Sequence, residues 1–541
     1  MTATRQGGLL PDRATALAIL AALVCAAPVF AVAWIALTGQ TGDYLAHLAR
    51  TRLPVYLANS AWVGLVAAGG AGLIGTGLGW LVARTEFPGR RALSWILILP
   101  LAVPAYVAAF AWLDLSQAGG PLHALTGGLF PTVRGAWGAG LMFALVLYPY
   151  VYLLARDTFD GQSADAYHAA RTLGAGPISA FLRTSLPMAR PALAAGLALV
   201  IMESLADYGT VSHLGAPTLS IGLIRAWSGA GSLVDAARLS LVLVAIALIV
   251  FGLERAQRRR ARSHHASGRH RPAPRFALTG LQGLAALLAC LLPLTLGLVV
   301  PLTRLGWLAL TSLPAPGLLA ASWHSLTLAT VSAVLAAALG LSTAYALRGR
   351  TMIAIASARA AGLGYAVPGA VAAVGVIAIL AGAQQMLDPA WTSLTGEVFP
   401  ILLTGGAAAL VFAYLSRFAA AAIGPSEAAL ARVTPTLDGA ARTLGATRGE
   451  TVRRIHWPLI AGGVTSAGLL VFVEVLKELP ATMILRPFNY DTLAIIAHNF
   501  ASDERLGEAA LPSILIPLVA LLPMIFVARY LSRTRSSTGQ V

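Results

Sequence analysis

Five charged side chains stand in stretches of the chain that are otherwise almost wholly apolar. Glu203 and Asp207 share one stretch; Glu474, Lys477 and Glu478 share another. Glu474 follows Glu203 by 271 residues, and Glu478 follows Asp207 by the same interval. On a helix, the i,i+4 spacing of each pair puts both carboxylates on one face. Charge at membrane depth is costly and marks a functional site by default. The chemistry on offer is that of hard oxygen donors, which suit a hard cation such as ferric iron. Tyr208 and Thr210 place further oxygens beside the first pair. Two readings follow from the residues alone. Either the acids line a path through the membrane, or they brace their helices, with Lys477 neutralising Glu474 at i,i+3. No cluster of Cys and His accompanies them at depth, so no resident metal is assigned and no cofactor is expected to bind directly.

The elements that must hold these groups are membrane helices. Of 541 residues, 57% are hydrophobic and 11% charged, against roughly 25% charged in a soluble domain. Crossing a bilayer takes about 20 apolar residues. Twelve such runs occur, at 14–38, 59–83, 94–113, 136–156, 191–212, 237–253, 276–302, 322–346, 354–382, 400–423, 459–485 and 511–531. They are too long and continuous for outer-membrane strands. The expected fold is an all-α integral membrane protein of twelve transmembrane helices in two tandem six-helix modules. These are 1–254 and 276–541, joined by a basic linker at 255–275. An even number of spans per module makes the repeat parallel rather than inverted. Pro104 and Pro368, each preceded by valine, interrupt the third and ninth spans at corresponding places. Proline frees a backbone carbonyl, tolerable at membrane depth only against protein or a wet cavity. These breaks therefore join the acids as candidates for lining the path, with a plain packing kink as the alternative.

Between the fourth and fifth spans, and again between the tenth and eleventh, the chain repeats itself. Residues 169–175 and 440–446 both read Ala-Ala-Arg-Thr-Leu-Gly-Ala. A proline follows each glycine by 13 residues, at Pro187 and Pro458. Good helix formers precede Gly174 and Gly445, and each glycine suits a left-handed C-cap. A second helix follows, started in the first copy by Pro177. Asp157, Asp160 and Ser163 offer N-cap chemistry to the first copy. Each loop is thus a helix–glycine–helix elbow, basic and rich in small residues, fit for a shallow groove on another protein. Two elbows on a pseudo-two-fold suit a dimeric partner.

The net charge of +16 suggests nucleic acid only until it is mapped. With both termini inside, the cytosolic loops hold most of the Lys and Arg, as the positive-inside rule requires, so no nucleic-acid partner is expected. The densest run, Arg255 to Arg275, carries eight arginines together with His264, His265 and His270. It reads as an orientation signal lying against anionic lipid. Cys25 and Cys290 stand alone in the first span of each half and read as small apolar fillers.

The elbow spacing, Ala-Ala-x3-Gly-x9-x-x-Leu-Pro, resembles the coupling loop of ABC importer membrane subunits, the EAA loop, written Glu-Ala-Ala-x3-Gly-x9-Ile-x-Leu-Pro. The first elbow matches at Ala169, Ala170, Gly174, Leu186 and Pro187. The second matches at Ala440, Ala441, Gly445, Ile455 and Pro458. His168 and Gly439 stand where the family has glutamate; Thr184 replaces the isoleucine and Trp457 the leucine. Asp165 and Asp438 lie close to the missing acid. The resemblance implies that each module is a binding-protein-dependent ABC importer permease whose elbows dock into an ABC ATPase, expected as a homodimer. It implies that a periplasmic or extracellular binding protein delivers the substrate, and that the chain sits in the bacterial inner membrane with both termini cytosolic.

The wording from Glu203 to Val211 and from Lys477 to Pro487 is similar to that of fused iron(III) permeases. Thiamine, phosphonate and polyamine permeases share parts of it. The implied cargo is therefore ferric iron, with those three as alternatives. An ATP-binding P-loop needs Gly-Lys-Ser/Thr, and the sole lysine, Lys477, follows Leu476. ATP is expected to be used by the partner subunit, and the chain is not expected to be an enzyme. A secondary transporter also carries repeats and buried acids, but has no ATPase for elbows to meet.

Overall fold

The computed structural model describes residues 9–40, 43–162, 165–261, 275–397 and 399–538. Among the described residues, eleven helices are long and apolar enough to cross a membrane, and a bent pair brings the number to twelve when counted as one span. In the first module the spans are Ala14–Thr38, Leu53–Arg84, the bent pair Arg90–Ala102 and Ala105–Leu125, Gly135–Gly161, Phe181–Ala206 and Leu233–Gln257. In the second they are Gly280–Thr311, Leu318–Arg348, Gly369–Thr395, Ala407–Leu430, Gly449–Leu476 and Leu506–Pro523. The number of spans is the one read from the sequence, and the protein is all-α apart from one parallel pair of two-residue strands among the described residues, Thr85–Glu86 with Phe276–Ala277. Most of the linker, with His264, His265 and His270, lies outside the described residues.

Four of the expected spans are not continuous helices. The third, expected over 94–113, turns by 87° between its two helices, because Val103 is extended (ψ 119°) ahead of Pro104; the residue before proline is pushed out of the helical region. The ninth, expected over 354–382, is two helices, Met352–Leu363 and Gly369–Thr395, separated at Pro368. The fifth and eleventh, expected over 191–212 and 459–485, stop at Ala206 and Leu476. Gly209–His213 and Pro480–Leu485 are separate short helices. Asp207 and Glu478 therefore do not continue the helix faces of Glu203 and Glu474. Asp157 and Asp160 also lie inside Gly135–Gly161, while Ser163 lies outside the described residues.

Small residues set the closest approaches. A Cβ on Gly75 would collide with Val151 and the backbone of Tyr148, and one on Gly79 with Ala155. Gly340 meets Ala422 in the same way in the second module. Lipid tails are as apolar as leucine, so helix association in a membrane depends on such close packing. The two modules interlock through their first spans. Pro28 lies against Gly375, and the Cys25 thiol faces the Leu415 carbonyl at 3.8 Å. In return, the Trp112 indole donates to the Leu296 carbonyl at 3.0 Å, and Arg304 pairs with Asp114 at 2.6 Å. Cys25 and Cys290 are both free and buried. Beside the strand pair, Arg275 donates to the Ala83 carbonyl at 3.2 Å and pairs with Asp160 at 3.5 Å. The end of the linker is thereby tied to the first module.

Candidate functional site

The fifth and eleventh spans end where the four acids stand, and there the chain changes conformation. Asp207 is extended (ψ 141°), and its carboxylate accepts the Thr210 N–H at 2.8 Å. Glu478 accepts from the Ala481 and Thr482 N–H groups, each at 3.1 Å, and from the Thr482 hydroxyl. The two acids cap the short helices Gly209–His213 and Pro480–Leu485, whose first N–H groups otherwise lack partners. The positive end of each helix steadies its carboxylate, half-buried at Asp207 and buried at Glu478. For these two residues the bracing role is observed directly, and both also face a cavity.

That cavity, with about 80 Å³ of water-accessible space, is lined by Glu203, Asp207, Glu474, Lys477, Glu478 and Pro104, together with Tyr106 and Val146. The acids of both modules thus meet in one place. Lys477 Nζ lies 2.9 Å from Glu474 Oε1, within its own turn. Tyr208 stands outside the lining, with its ring 5.5 Å from that of His498. Pro368 is one residue behind the wall: its neighbour Gly369 has no room for a Cβ, because Glu478 Oε1 and Arg417 Nη1 lie against it.

Arg417 is the residue that sequence reasoning missed. Its guanidinium reaches Glu203 Oε2 at 3.4 Å and Glu478 Oε1 at 3.6 Å. The signal was present, since Arg417 lies inside a span and intramembrane charge is rare. The repeat concealed it, because the corresponding position 271 residues earlier holds Val146. Four carboxylates against two cations leave the cavity with two formal negative charges. Among the described residues, no three His, Cys, Asp or Glu are grouped to hold a metal ion.

The elbows form as the spacing requires. The first runs through Asp165–Thr172 and Pro177–Ala180, the second through Pro435–Thr443 and Arg448–Thr451. Gly174 and Gly445 are left-handed, at φ 87° and 78°. Gly174 N–H donates to the Arg171 carbonyl and Ala175 N–H to that of Ala170, while Gly445 and Ala446 make the same pair of bonds to Arg442 and Ala441. This is the Schellman C-cap in both copies. A five-residue π turn follows each elbow, Phe181–Ser185 and Val452–His456. Pro187 and Pro458 lie just beyond and explain it. Proline lacks an N–H and its ring crowds the carbonyl four residues back, and a wider turn relieves both.

Ala169 and Ala440 are exposed, Ala441 is buried, and Leu186 and Ile455 are half-buried. The side chain of His168 lies outside the described residues. Leu173 and Leu444, inside the repeated heptapeptide, are 88% and 87% exposed. They form two matching apolar knobs on otherwise polar elbows.

The elbows are anchored differently. Asp438, next to Gly439, pairs with Arg348 at 2.8 Å and with His456 at 2.6 Å. The Tyr345 hydroxyl bonds the other His456 nitrogen at 2.9 Å. In the first elbow the corresponding residue, Tyr167, is buried against Phe276 with ring centroids 5.6 Å apart. The Gln162 amide there donates to the Ser185 carbonyl at 3.0 Å.

A twelve-span bundle with a charged cavity between its interlocked halves and two exposed elbows is the architecture of a membrane transport subunit. The chain belongs to the family of binding-protein-dependent transport system inner membrane components, whose profile matches residues 75–262. It is 25% identical over 492 residues to an iron(III)-transport system permease of Haemophilus influenzae, covering 89% of this chain and 91% of that protein. It is 30% identical over 178 residues to the molybdenum transport system permease of Escherichia coli K12, covering 31% of this chain and 78% of the relative. A sulfate transport system permease of Salmonella typhimurium is 30% identical over 141 residues, 26% of this chain and 51% of the relative. The chain is therefore an ABC importer permease, a multi-pass inner-membrane protein of a class whose members are transport components rather than enzymes.

Proposed function

We propose that this chain forms the translocation path for ferric iron in a binding-protein-dependent importer. The observation that carries this reading is the charge of the cavity. Its lining carries four carboxyl groups against two basic side chains, an excess of acids that favours a cation over sulfate, molybdate or phosphonate. A relative matched along most of both chains is an iron(III) permease. Thiamine or a polyamine, being cationic, is the second reading that the same charge favours.

The elbows dock a separate ABC ATPase, with Leu173 and Leu444 as the apolar contacts and Ala169, Ala170 and Ala440 leaving room for close approach. ATP is used by that partner, and no cofactor is held here. The elbow end, the linker and both termini face the cytosol, where the arginines are concentrated. A periplasmic binding protein supplies the iron from the other side. The test is ATP-driven uptake of radioactive ferric iron by proteoliposomes holding the chain with its ATPase and binding protein. Uptake of thiamine or spermidine in place of iron would favour the second reading, and uptake of molybdate would overturn both.

A further inference from the structure

Arg417 breaks the symmetry of the cavity, and the manner of the break assigns it a task. The four acids are paired by the repeat, two from each module. Both cations come from the second module: the positions corresponding to Arg417 and Lys477 are Val146 and Ala206, which also line the cavity. Lys477 is satisfied within its own turn by Glu474. Arg417 instead spans the modules, with Glu203 of the first on one nitrogen and Glu478 of the second on the other. Of these partners, Glu478 is fixed, held by the N-terminus of Pro480–Leu485 and only 1% exposed. Glu203 has no such cap. The guanidinium also lies over the Phe418 ring at 4.9 Å, and Gly369 closes against it with no space to spare.

We propose that Arg417 is an ionic latch across the path. In the closed state it occupies the carboxylates that a cation would use, and it seals the module interface at that depth. When the modules separate, the Glu203 contact breaks first, because Glu478 is held by its helix, and Arg417 swings away with the second module. Glu203 is then free to serve a passing cation. The latch itself stands on geometry alone; the hand-over to a cation rests on the cationic reading above.

The test uses the full chain with its ATPase in proteoliposomes, without ATP. Ala206, in the cavity wall, is replaced by cysteine and exposed on both sides to a cationic methanethiosulfonate. The same preparation with alanine at 206 gives the background from Cys25 and Cys290. In this setting Arg417→Gln should raise the labelling rate at least tenfold, and Arg417→Lys should raise it less. Arg304→Gln should leave it unchanged: that residue also pairs across the modules, with Asp114, but outside the cavity. Should Arg417→Gln fail to fold, because it strands Glu478, the double variant Arg417→Gln/Glu478→Gln removes the stranded charge, keeps an oxygen for the Ala481 and Thr482 N–H groups and should show the same rise.

Labelling at the parent rate in the folded variants would overturn the latch, as would an equal rise with Arg304→Gln. Increased labelling with unchanged selectivity for ferric iron over molybdate would leave the latch standing and remove the hand-over. Uptake of molybdate alone by the parent protein would instead remove the cationic reading.

Discussion

Arg417 in the tenth span lies 3.4 Å from Glu203 in the fifth, so a charge pair at membrane depth joins the two modules. Lys477 and Glu474, 2.9 Å apart, form a pair within one turn. The two pairs look alike in composition and differ in what they connect, and this difference governs how each should respond to mutation.

Lys477→Met strands Glu474 in a buried site, and breaking a buried pair from one side typically costs about 3–5 kcal/mol. The double variant Lys477→Met/Glu474→Gln removes both charges and should melt closer to the parent than Lys477→Met does. Thermal melting of the four proteins of the cycle measures the coupling. A double variant less stable than either single would show that the pair is not a local salt bridge.

Glu203→Gln combined with Glu474→Gln keeps shape and removes two negative charges from the cavity. Uptake per molecule should fall by at least tenfold, while the ATPase still co-purifies. Normal uptake per molecule with lowered membrane levels would assign these acids to bracing instead.

The elbows depend on a conformation that only glycine adopts freely. Gly174→Pro with Gly445→Pro cannot reach the left-handed region and should abolish co-purification of the ATPase while leaving the bundle in the membrane. Leu173→Asp with Leu444→Asp leaves the fold of the elbow intact, since both side chains are exposed, and should have the same effect on docking. Retained ATPase in the leucine pair would mean that the knobs are not the contact.

Asp438→Ala removes the acid that Arg348 and His456 share. Pairs of this partly exposed kind are worth about 1 kcal/mol. The second elbow should show faster amide exchange over 435–446 and roughly fivefold weaker ATPase binding, with the first elbow unchanged. Equal loosening of both elbows would contradict their separate anchoring.

The twelve spans and the elbows were legible because hydropathy and repetition are properties of the string itself. Gly174 and Gly445 were readable as C-caps for the same reason, as a local motif needs only local sequence. The ends of spans five and eleven were not. Asp207 and Glu478 continue an apolar, helix-compatible pattern, and only the packing of the short helices they cap reveals the break. Arg417 was passed over because the repeat directed attention to matched positions, and Val146 is its match. Leu173 and Leu444 look like ordinary apolar residues of a helix until their exposure is known. The different anchoring of the elbows was visible as Tyr167 against Asp438, but nothing in the chain says that Phe276 or Arg348 lies opposite.

In the proposed function a cation crosses between the modules under the power of a partner ATPase. The most direct measurement is ATP-dependent accumulation of radioactive ferric iron, with molybdate and sulfate in parallel, in proteoliposomes containing the chain, its ATPase and its binding protein. Iron should accumulate only with ATP, neither anion should, and Glu203→Gln/Glu474→Gln should abolish most of the signal. Accumulation of molybdate or sulfate with no iron uptake would contradict the account.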